Sequence, residues 1–304
     1  MIRDALEKDK TAIYSLWQTS FSLKSSDYLN CFFNHVYPMG RTVINEIDNK
    51  VVSSIHMQEF KLNLNGTLLK ATYLSQLSTH PDYRRSGYMQ ECLKNCLDEC
   101  DNKTLFTFVE AHNPKFFEQF GFQEASVHRS YDLQAKYFEK VSTIGISDEF
   151  TAKELMQLYR SFTKHFDGYR LRDEHYYERM MKECLECGEK LIICRNNQGK
   201  PIGYARSVVR NGNVRVKECV YEGSVALCKL LKASLSHYPY LHLEVSEAEH
   251  FDKVFPLCVS RKRVFTMVRC NNIPLFNKVY NAKARTSHEA YFLGDKPKYM
   301  NERY

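Results

Sequence analysis

The chain has 304 residues, of which 43% are hydrophobic and 13% aromatic. This composition excludes a disordered protein, and the length allows a large core and predicts roughly two domains. The formal net charge of +7 suits an anionic ligand. It gives no argument for nucleic acid, because the longest basic cluster considered, Arg261–Arg263, is only a triplet.

Signals for secretion, membrane insertion and metal binding are missing from the sequence. The N-terminus lacks the apolar run of a signal peptide, and no stretch has the roughly 18 uninterrupted apolar residues of a membrane span. The eleven cysteines are scattered, which is typical of free thiols in a reducing compartment. One CxxC, Cys184–Cys187, lacks a second ligand pair for zinc. We therefore predict a cytoplasmic protein that binds no metal, no membrane and no nucleic acid.

Hydrophobic periodicity and turn residues predict the elements of the first half. In chain order they are a helix over 4–20, a helix over 28–36 capped by Ser25 or Ser26, strands over 43–47, 51–64 and 68–77, a basic turn over 84–87, a helix after it, a strand over 105–109, a helix over 115–120 and a strand over 122–133. Asn65–Gly66 is a hairpin signal between the two long strands.

The stretch Leu74–Leu97 organises this half. It reads as a strand, a basic turn and a helix whose apolar residues recur every four positions. Gly87 allows a left-handed turn, and a helix that begins directly after it directs free N–H groups at an anion. Arg84 and Arg85 strengthen the site, and the expected anion is a pyrophosphate. The turn is too short for a Walker A loop and lacks the Rossmann glycine pattern.

The motif Arg84-x-x-Gly87-x-Met89 resembles the acetyl-CoA loop of the GNAT N-acetyltransferases, [R/Q]-x-x-G-x-[G/A], with Met89 in place of the small final residue. The segment HNPKFFEQFGF, residues 112–122, resembles the region after the fifth strand of that fold. The two motifs occur in the GNAT order, so the resemblance covers residues 1 to about 135.

A second unit is predicted after a joint at 145–148. Its elements are helices over 151–166 and 170–181, strands over 191–195, 201–209 and 213–221, a helix over 224–236 and a strand over 241–245. GKPIGYARSVV resembles a central GNAT hairpin, but Glu222–Ser224 carries no basic residue where the cofactor loop would be. This predicts a degenerate second GNAT-like domain.

Tandem GNAT-like domains resemble the Eis-like (enhanced intracellular survival) acetyltransferases. FTMVRCNNIPLF, residues 265–276, resembles the join to their sterol-carrier-like third domain, of which only a remnant would fit. The expected fold is α/β (α+β), with two tandem GNAT-like acyl-CoA N-acyltransferase domains of mixed sheets flanked by helices. The expected domains are 1–140 (catalytic), 141–270 (degenerate) and 271–304 (C-terminal tail).

The resemblance also implies the cofactor contacts. The backbone of Leu77, Ser78 and Thr79 would pair with the pantetheine of acetyl-CoA. The pyrophosphate would be held by Arg84, Arg85, Ser86, Gly87, Tyr88 and Met89. Asn113 would also contact the cofactor.

The sequence identifies the catalytic acid and base less clearly than the cofactor residues. GNAT relatives place a general-acid tyrosine in the helix or just after its glycine, and this chain has Phe117 and Phe122 there. Eis-like enzymes use the C-terminal carboxylate as the base, which here belongs to Tyr304. Glu110 and His112 are the alternative bases.

The predicted function is therefore an acetyl-CoA-dependent N-acetyltransferase acting on a primary amine of a small molecule or of a protein lysine. The alternative is a catalytically impaired acyl-CoA-binding or assembly protein on the same fold, which Phe117 and Phe122 favour. The resemblance further implies a homo-oligomer.

Overall fold

A computed structural model describes residues 1–21 and 26–303. Tyr304 and the predicted cap Ser25 lie outside the described residues. The strands are, in chain order, β1 Ile2–Asp4, β2 Arg41–Ile47, β3 Lys50–Leu64, β4 Thr67–Thr79, β5 Phe106–Glu110, β6 Gln123–Gln134, β7 Ile146–Ser147, β8 Tyr169–Arg170, β9 Lys190–Arg195, β10 Pro201–Arg210, β11 Asn213–Tyr221, β12 Tyr240–Ser246 and β13 Ser260–Cys270. The α-helices are α1 Lys10–Ser20, α2 Ser26–His35, α3 Tyr88–Lys103, α4 Pro114–Glu118, α5 Ala152–Thr163, α6 Glu174–Glu186, α7 Ser224–Leu235, α8 Ile273–Tyr280 and α9 Ser287–Tyr291.

The chain forms two compact units. Unit 1 comprises Met1–Ala125, Val264–Asp295 and Met300–Tyr304, and unit 2 comprises Ser126–Arg263 and Lys296–Tyr299. The predicted α/β class, with mixed sheets flanked by helices, is confirmed.

The sheet of unit 1 has the strand order β1-β2-β3-β4-β5-β13. Its neighbours are antiparallel except β4 and β5, which are parallel. The β3–β4 hairpin turns at Asn65 and Gly66, with φ of 49° and 76°, as the sequence predicts. Both residues are types that tolerate positive φ, so this turn is encoded locally.

Two buried layers cover the sheet of unit 1. On one face α3 packs its Cys92, Leu93, Cys96, Leu97 and Cys100 against a cluster that includes Leu74, Val109 and Met267. On the other face α8 and α9 contribute to a cluster with Tyr73, Phe106 and Phe108. Neighbouring residues of a strand point to opposite faces, which places Tyr73 and Leu74 in different layers.

The sheet of unit 2 has the order β6-β12-β11-β10-β9-β7. β11 and β12 form its parallel pair, and α7 packs on one face while α5 and α6 pack on the other. The hydrophobic pattern and the turn residues predicted the order of the elements from α5 to β12, and the observed bounds of β11, Asn213–Tyr221, are the predicted ones.

β13 was not foreseen. Residues predicted as a join to a third domain form the end of this strand and the start of α8. Thr266–Cys270 pair antiparallel with Phe106–Glu110 of β5, so this distant segment completes the sheet of unit 1. Nothing in the local pattern reveals a partner more than 150 positions earlier.

The cysteines depart in part from expectation. Nine are free thiols: Cys228 and Cys258 are half-buried, and the other seven lie in the buried layers of the two units. Cys31 and Cys187 are each disulfide-bonded, so the expectation of free thiols was wrong for these two. Within the ranges 1–21 and 26–303, the structure shows no helix long and apolar enough to cross a membrane and no side-chain cluster suited to a metal ion.

Candidate acyl-CoA site

The site begins where β4 and β5 separate. Their parallel register joins Ala71–Leu74 to Phe106–Val109, and β4 then continues to Thr79 along β3. Within β4, Gln76 and Leu77 both lie opposite the single residue Ile55 of β3. The extra residue makes a β-bulge, in which Gln76 has φ 51°. A bulge bends its strand, so the end of β4 leaves β5 and a cleft opens between them.

A cavity of about 430 Å³ occupies this cleft. It is lined by Ser20, Phe21, Tyr73, Leu74, Ser75, Gln76, Leu77, Ser78, Thr79, Arg84, Met89, Glu110, His112, Asn113, Phe116 and Phe117. The structure therefore brings together eight of the thirteen residues assigned from the sequence: Leu77, Ser78, Thr79, Arg84, Met89, Glu110, His112 and Asn113. Tyr304 lies outside the described residues. Arg85, Ser86, Gly87 and Tyr88 are in the adjoining turn and are not part of the lining.

The turn has the geometry of an anion site. Gly87 is the N-cap of α3 at φ 87°, so the helix begins directly after it. A Cβ at Gly87 would meet nothing within 4 Å, which means that the backbone conformation, not space, favours glycine. The N–H groups of the first turn of α3 lack intrahelical acceptors. Arg84 and Arg85 are exposed beside them.

Arg84 is also tied to the cleft. Its Nε donates to the carbonyl of Thr79 at 3.3 Å, and an Nη donates to the carbonyl of Ser20 at 3.5 Å. These two bonds hold the guanidinium between the end of β4 and the end of α1. A cation is thus fixed at the cavity mouth nearest the N-terminus of α3.

The two phenylalanines lie close together. Phe117 and Phe122 are buried, their ring centroids are 5.7 Å apart at 68°, and Phe117 lines the cavity. Neither side chain has a proton to donate, so the wall of the cavity at Phe117 is apolar.

The alternative bases differ in exposure. Glu110 is half-buried at the end of β5, and His112 is exposed just beyond it. A third titratable residue nearby, His56, is fully buried among Trp17, Phe32 and Tyr37 and does not line the cavity. Burial lowers the pKa of His56 to about 4.

Sequence reasoning missed Tyr73 and Gln76. Gln76 donates from Nε2 to the hydroxyl of Tyr28 at 2.9 Å. One sequence signal was available: Leu74 and Leu77 are three apart, although apolar residues on one face of a regular strand are an even number apart. Both leucines pack in the α3 layer, because the bulge supplies the extra residue.

The corresponding part of unit 2 is built differently. There β11 runs parallel to β12 over Val214–Val216, and its bulge residue is Lys217. Lys217 Nζ donates to Glu189 at 2.5 Å, and Arg206 bonds to the same carboxylate. Burial opposes the charge of Glu189, yet these two cations keep its pKa below the usual range.

Comparisons with known proteins agree with this geometry. Residues 1–125 match the family model described as an acetyltransferase (GNAT) domain. No curated protein sequence matches the chain.

Solved structures are similar over nearly the whole chain. A conserved protein of unknown function from Enterococcus faecalis V583, described as a probable N-acyltransferase, superposes with a TM-score of 0.73 at 15% identity, covering 90% of this chain and 72% of that one. Eis1 from Mycobacterium abscessus gives 0.65 at 12% identity, with coverage of 91% and 75%. A tandem GNAT protein from the clavulanic acid biosynthesis pathway gives 0.60 at 11% identity, with coverage of 90% and 98%. At these identities the likeness establishes the fold. Residues 1–125 therefore match a GNAT acetyltransferase domain, and the chain as a whole has a fold similar to those of Eis1 and the tandem GNAT protein.

Proposed function

We propose that unit 1 is an acetyl-CoA-dependent N-acetyltransferase that acts on a primary amine. The observation that carries the proposal is the 430 Å³ cavity in the β4–β5 cleft, which leads from the bulge at Gln76 to Arg84 and the N-terminus of α3. An extended chain that carries amide groups along its length and a pyrophosphate at one end matches a cavity lined by a strand end and a basic turn.

Each predicted cofactor residue has a role in this proposal. The backbone of Leu77–Thr79 pairs with the pantetheine as an added strand would, and Asn113 contacts it from the end of β5. Arg84, Arg85 and the N–H groups around Ser86–Met89 bind the pyrophosphate. The N–H of Leu77 polarises the thioester carbonyl.

The chemistry is acyl transfer. The neutral amine attacks the thioester carbonyl, and collapse of the tetrahedral intermediate breaks the C–S bond and releases the CoA thiolate. A base takes the ammonium proton; the candidates among the residues that line the cavity are Glu110 and His112. Since Phe117 and Phe122 replace the tyrosines of relatives, water protonates the leaving thiolate.

The non-catalytic alternative predicts the same cofactor binding without transfer, and the two phenylalanines favour it. We also propose, from the resemblance, a homo-oligomer, which sedimentation of the purified protein would test, and, from the sequence, a cytoplasmic location, which cell fractionation would test.

Calorimetric titration with acetyl-CoA and with CoA tests the cofactor site. We expect binding by the native protein and a loss of about tenfold or more in affinity for Arg84→Ala/Arg85→Ala, since each charge-assisted bond contributes roughly 1.5–3 kcal/mol. Arg210→Ala, an exposed arginine of unit 2, is the matched control. Absence of binding by the native protein would refute both acyl-CoA functions, whereas binding without acetylation of any amine in a panel would select the alternative.

A further inference from the structure

The cavity of unit 1 has walls on both faces of the sheet. Leu74 and Leu77 pack in the layer that α3 covers, whereas Tyr73 packs in the opposite layer, and all three residues line the cavity. The pyrophosphate proposed at the N-terminus of α3 places the cofactor on the α3 face. An amine that attacks the thioester must then approach from the other face, where the cofactor leaves room for it.

Glu110 and Tyr73 point to the same side of the sheet. In β5, Phe106 and Phe108 pack in the layer of Tyr73. Side chains of a strand alternate between its faces, so Glu110, two positions beyond Phe108, lies on the side of Tyr73. Both residues line the cavity. A carboxylate and an aromatic ring therefore meet the amine on this face.

The helices α1 and α2 cover the same face. Val43 packs with α3 and its neighbour Ile44 packs with α1 and α2, so these two helices lie opposite α3. Phe21, at the end of α1, lines the cavity from there. The bulge residue Gln76 also lines it, and its Nε2 donates to the hydroxyl of Tyr28 in α2 at 2.9 Å. The side of the cavity that the amine reaches is thus aromatic and amide-lined.

The acceptor face, which we define as Phe21, Tyr73, Gln76 and Glu110, can balance one positive charge. Among the described residues that line the cavity, Glu110 is the only one with a carboxylate. An ammonium that leaves water without a counter-charge loses a large hydration free energy. One ammonium can therefore be paired on this face, whereas a second would lie against aromatic rings and a neutral amide.

We propose that the acceptor is a primary monoamine with an apolar body, and that polyamines, aminoglycosides and lysines of basic peptides are poor substrates. This rests on the proposed function. Glu110 pairs with the single ammonium before the base removes one proton, and the nitrogen then forms the new C–N bond while the C–S bond of the thioester breaks and the thiolate leaves. The apolar body lies against Phe21 and Tyr73, where its burial is favourable.

Two amines of equal chain length test this proposal. Hexylamine and cadaverine, the five-carbon diamine, differ in that a terminal methyl group replaces a second amine. The second amine enters the cavity either as an unpaired ammonium or as the neutral form, which is about one part in a thousand near neutral pH for an amine with a pKa of roughly 10.4. In steady-state kinetics we expect kcat/KM to be at least about tenfold higher for hexylamine. An equal or higher value for cadaverine would overturn the proposal.

An isosteric variant tests the face itself. Gln76→Glu adds a carboxylate with little change in volume, and the hydroxyl of Tyr28 can donate to it. We expect the ratio of kcat/KM to shift towards cadaverine by about fivefold, the size expected of a partly exposed ion pair. Gln119→Glu adds the same charge at an exposed residue outside the cavity lining and should leave the ratio unchanged.

An unchanged ratio in Gln76→Glu, or an equal shift in both variants, would also overturn the proposal. If Gln76→Glu does not fold, the two amines measured on the native protein decide the question. Failure of the native protein to bind acetyl-CoA is a different result, which refutes the proposed function and the acceptor class with it. If acetyl-CoA binds but neither amine is acetylated, calorimetric titration of the complex with both amines decides: tighter binding of hexylamine supports the acceptor face, and any other result overturns it.

Discussion

The two units have the same arrangement of a parallel strand pair and a following helix, but they differ in the segment between strand and helix and in the charge of the bulge residues. Each has a parallel strand pair whose first strand carries a bulge and leads into a helix that a glycine caps. In unit 1 residues 80–87 separate strand from helix, and the bulge residues Gln76 and Leu77 are neutral. In unit 2 only Glu222 and Gly223 separate them, and the bulge residue Lys217 is bound in an ion cluster.

This difference concerns the cofactor site proposed in unit 1. The β-bulge alone does not distinguish that site, because unit 2 also has a bulge. What distinguishes unit 1 is the basic turn before the helix and the neutral residues at the bulge. In unit 2 the residue before the capping glycine is Glu222, whose carboxylate accepts from Ser161 and pairs with Lys200, so this turn carries a negative charge where unit 1 has two arginines.

The largest expected effect is on the charged interior of unit 2. Arg172 and Glu218 are 3% and 9% exposed and bond at 2.6 Å. Glu218→Gln removes the negative charge of this buried pair, so we expect a loss of about 3 kcal/mol in the free energy of unfolding, measured with urea. Glu178→Gln, which removes the exposed partner of His175, should change stability by less than about 1 kcal/mol. Acetyl-CoA affinity should be unaffected by both; a matching loss of affinity would mean that unit 2 contributes to the site.

The next effect concerns pH and unit 1. Burial holds the pKa of His56 at about 4, below its ordinary 6.5, so the unfolded chain binds a proton that the folded chain does not. Stability should therefore fall as pH drops from 6.5 towards 4, by up to about 1.4 kcal/mol per pH unit from this residue. His56→Phe keeps an aromatic ring and should flatten the curve in that window. His175→Gln, at an exposed histidine, should leave it unchanged; an unaltered slope in His56→Phe would disprove the assignment.

The smallest effect separates the two glycine caps. Gly87→Ala places a side chain at φ 87°, and Gly223→Ala at φ 142°, so each should cost roughly 1–2 kcal/mol in stability. Only Gly87→Ala should also weaken acetyl-CoA binding, because only that helix is proposed to face the pyrophosphate. Denaturation and calorimetry on the same samples measure both quantities. Equal affinities in the two variants would contradict the location of the anion site.

The sequence predicted what short segments encode. The Asn65–Gly66 turn, the Gly87 cap and the four-residue apolar repeat of α3 are set by nearby residues, and so is the basic turn at Arg84–Gly87. The contact between Tyr73 and Glu302 was not predictable, because it joins residues 229 positions apart. β13 was missed for the same reason. The Gln76 bulge is an intermediate case. The odd spacing of Leu74 and Leu77 indicates a bulge only after the segment has been assigned as a strand.

The pairing of β13 with β5 has a consequence for synthesis. While the ribosome has made only the first 125 residues, β5 has β4 on one side and an open edge on the other, although Phe106, Phe108 and Val109 are already present. An apolar strand with an open edge invites pairing with other chains. The edge of β5 is covered only after roughly 140 further residues have been translated. At ordinary translation rates this takes several seconds to tens of seconds. A chain of this design therefore depends on protection during translation, and its first half expressed alone is expected to aggregate.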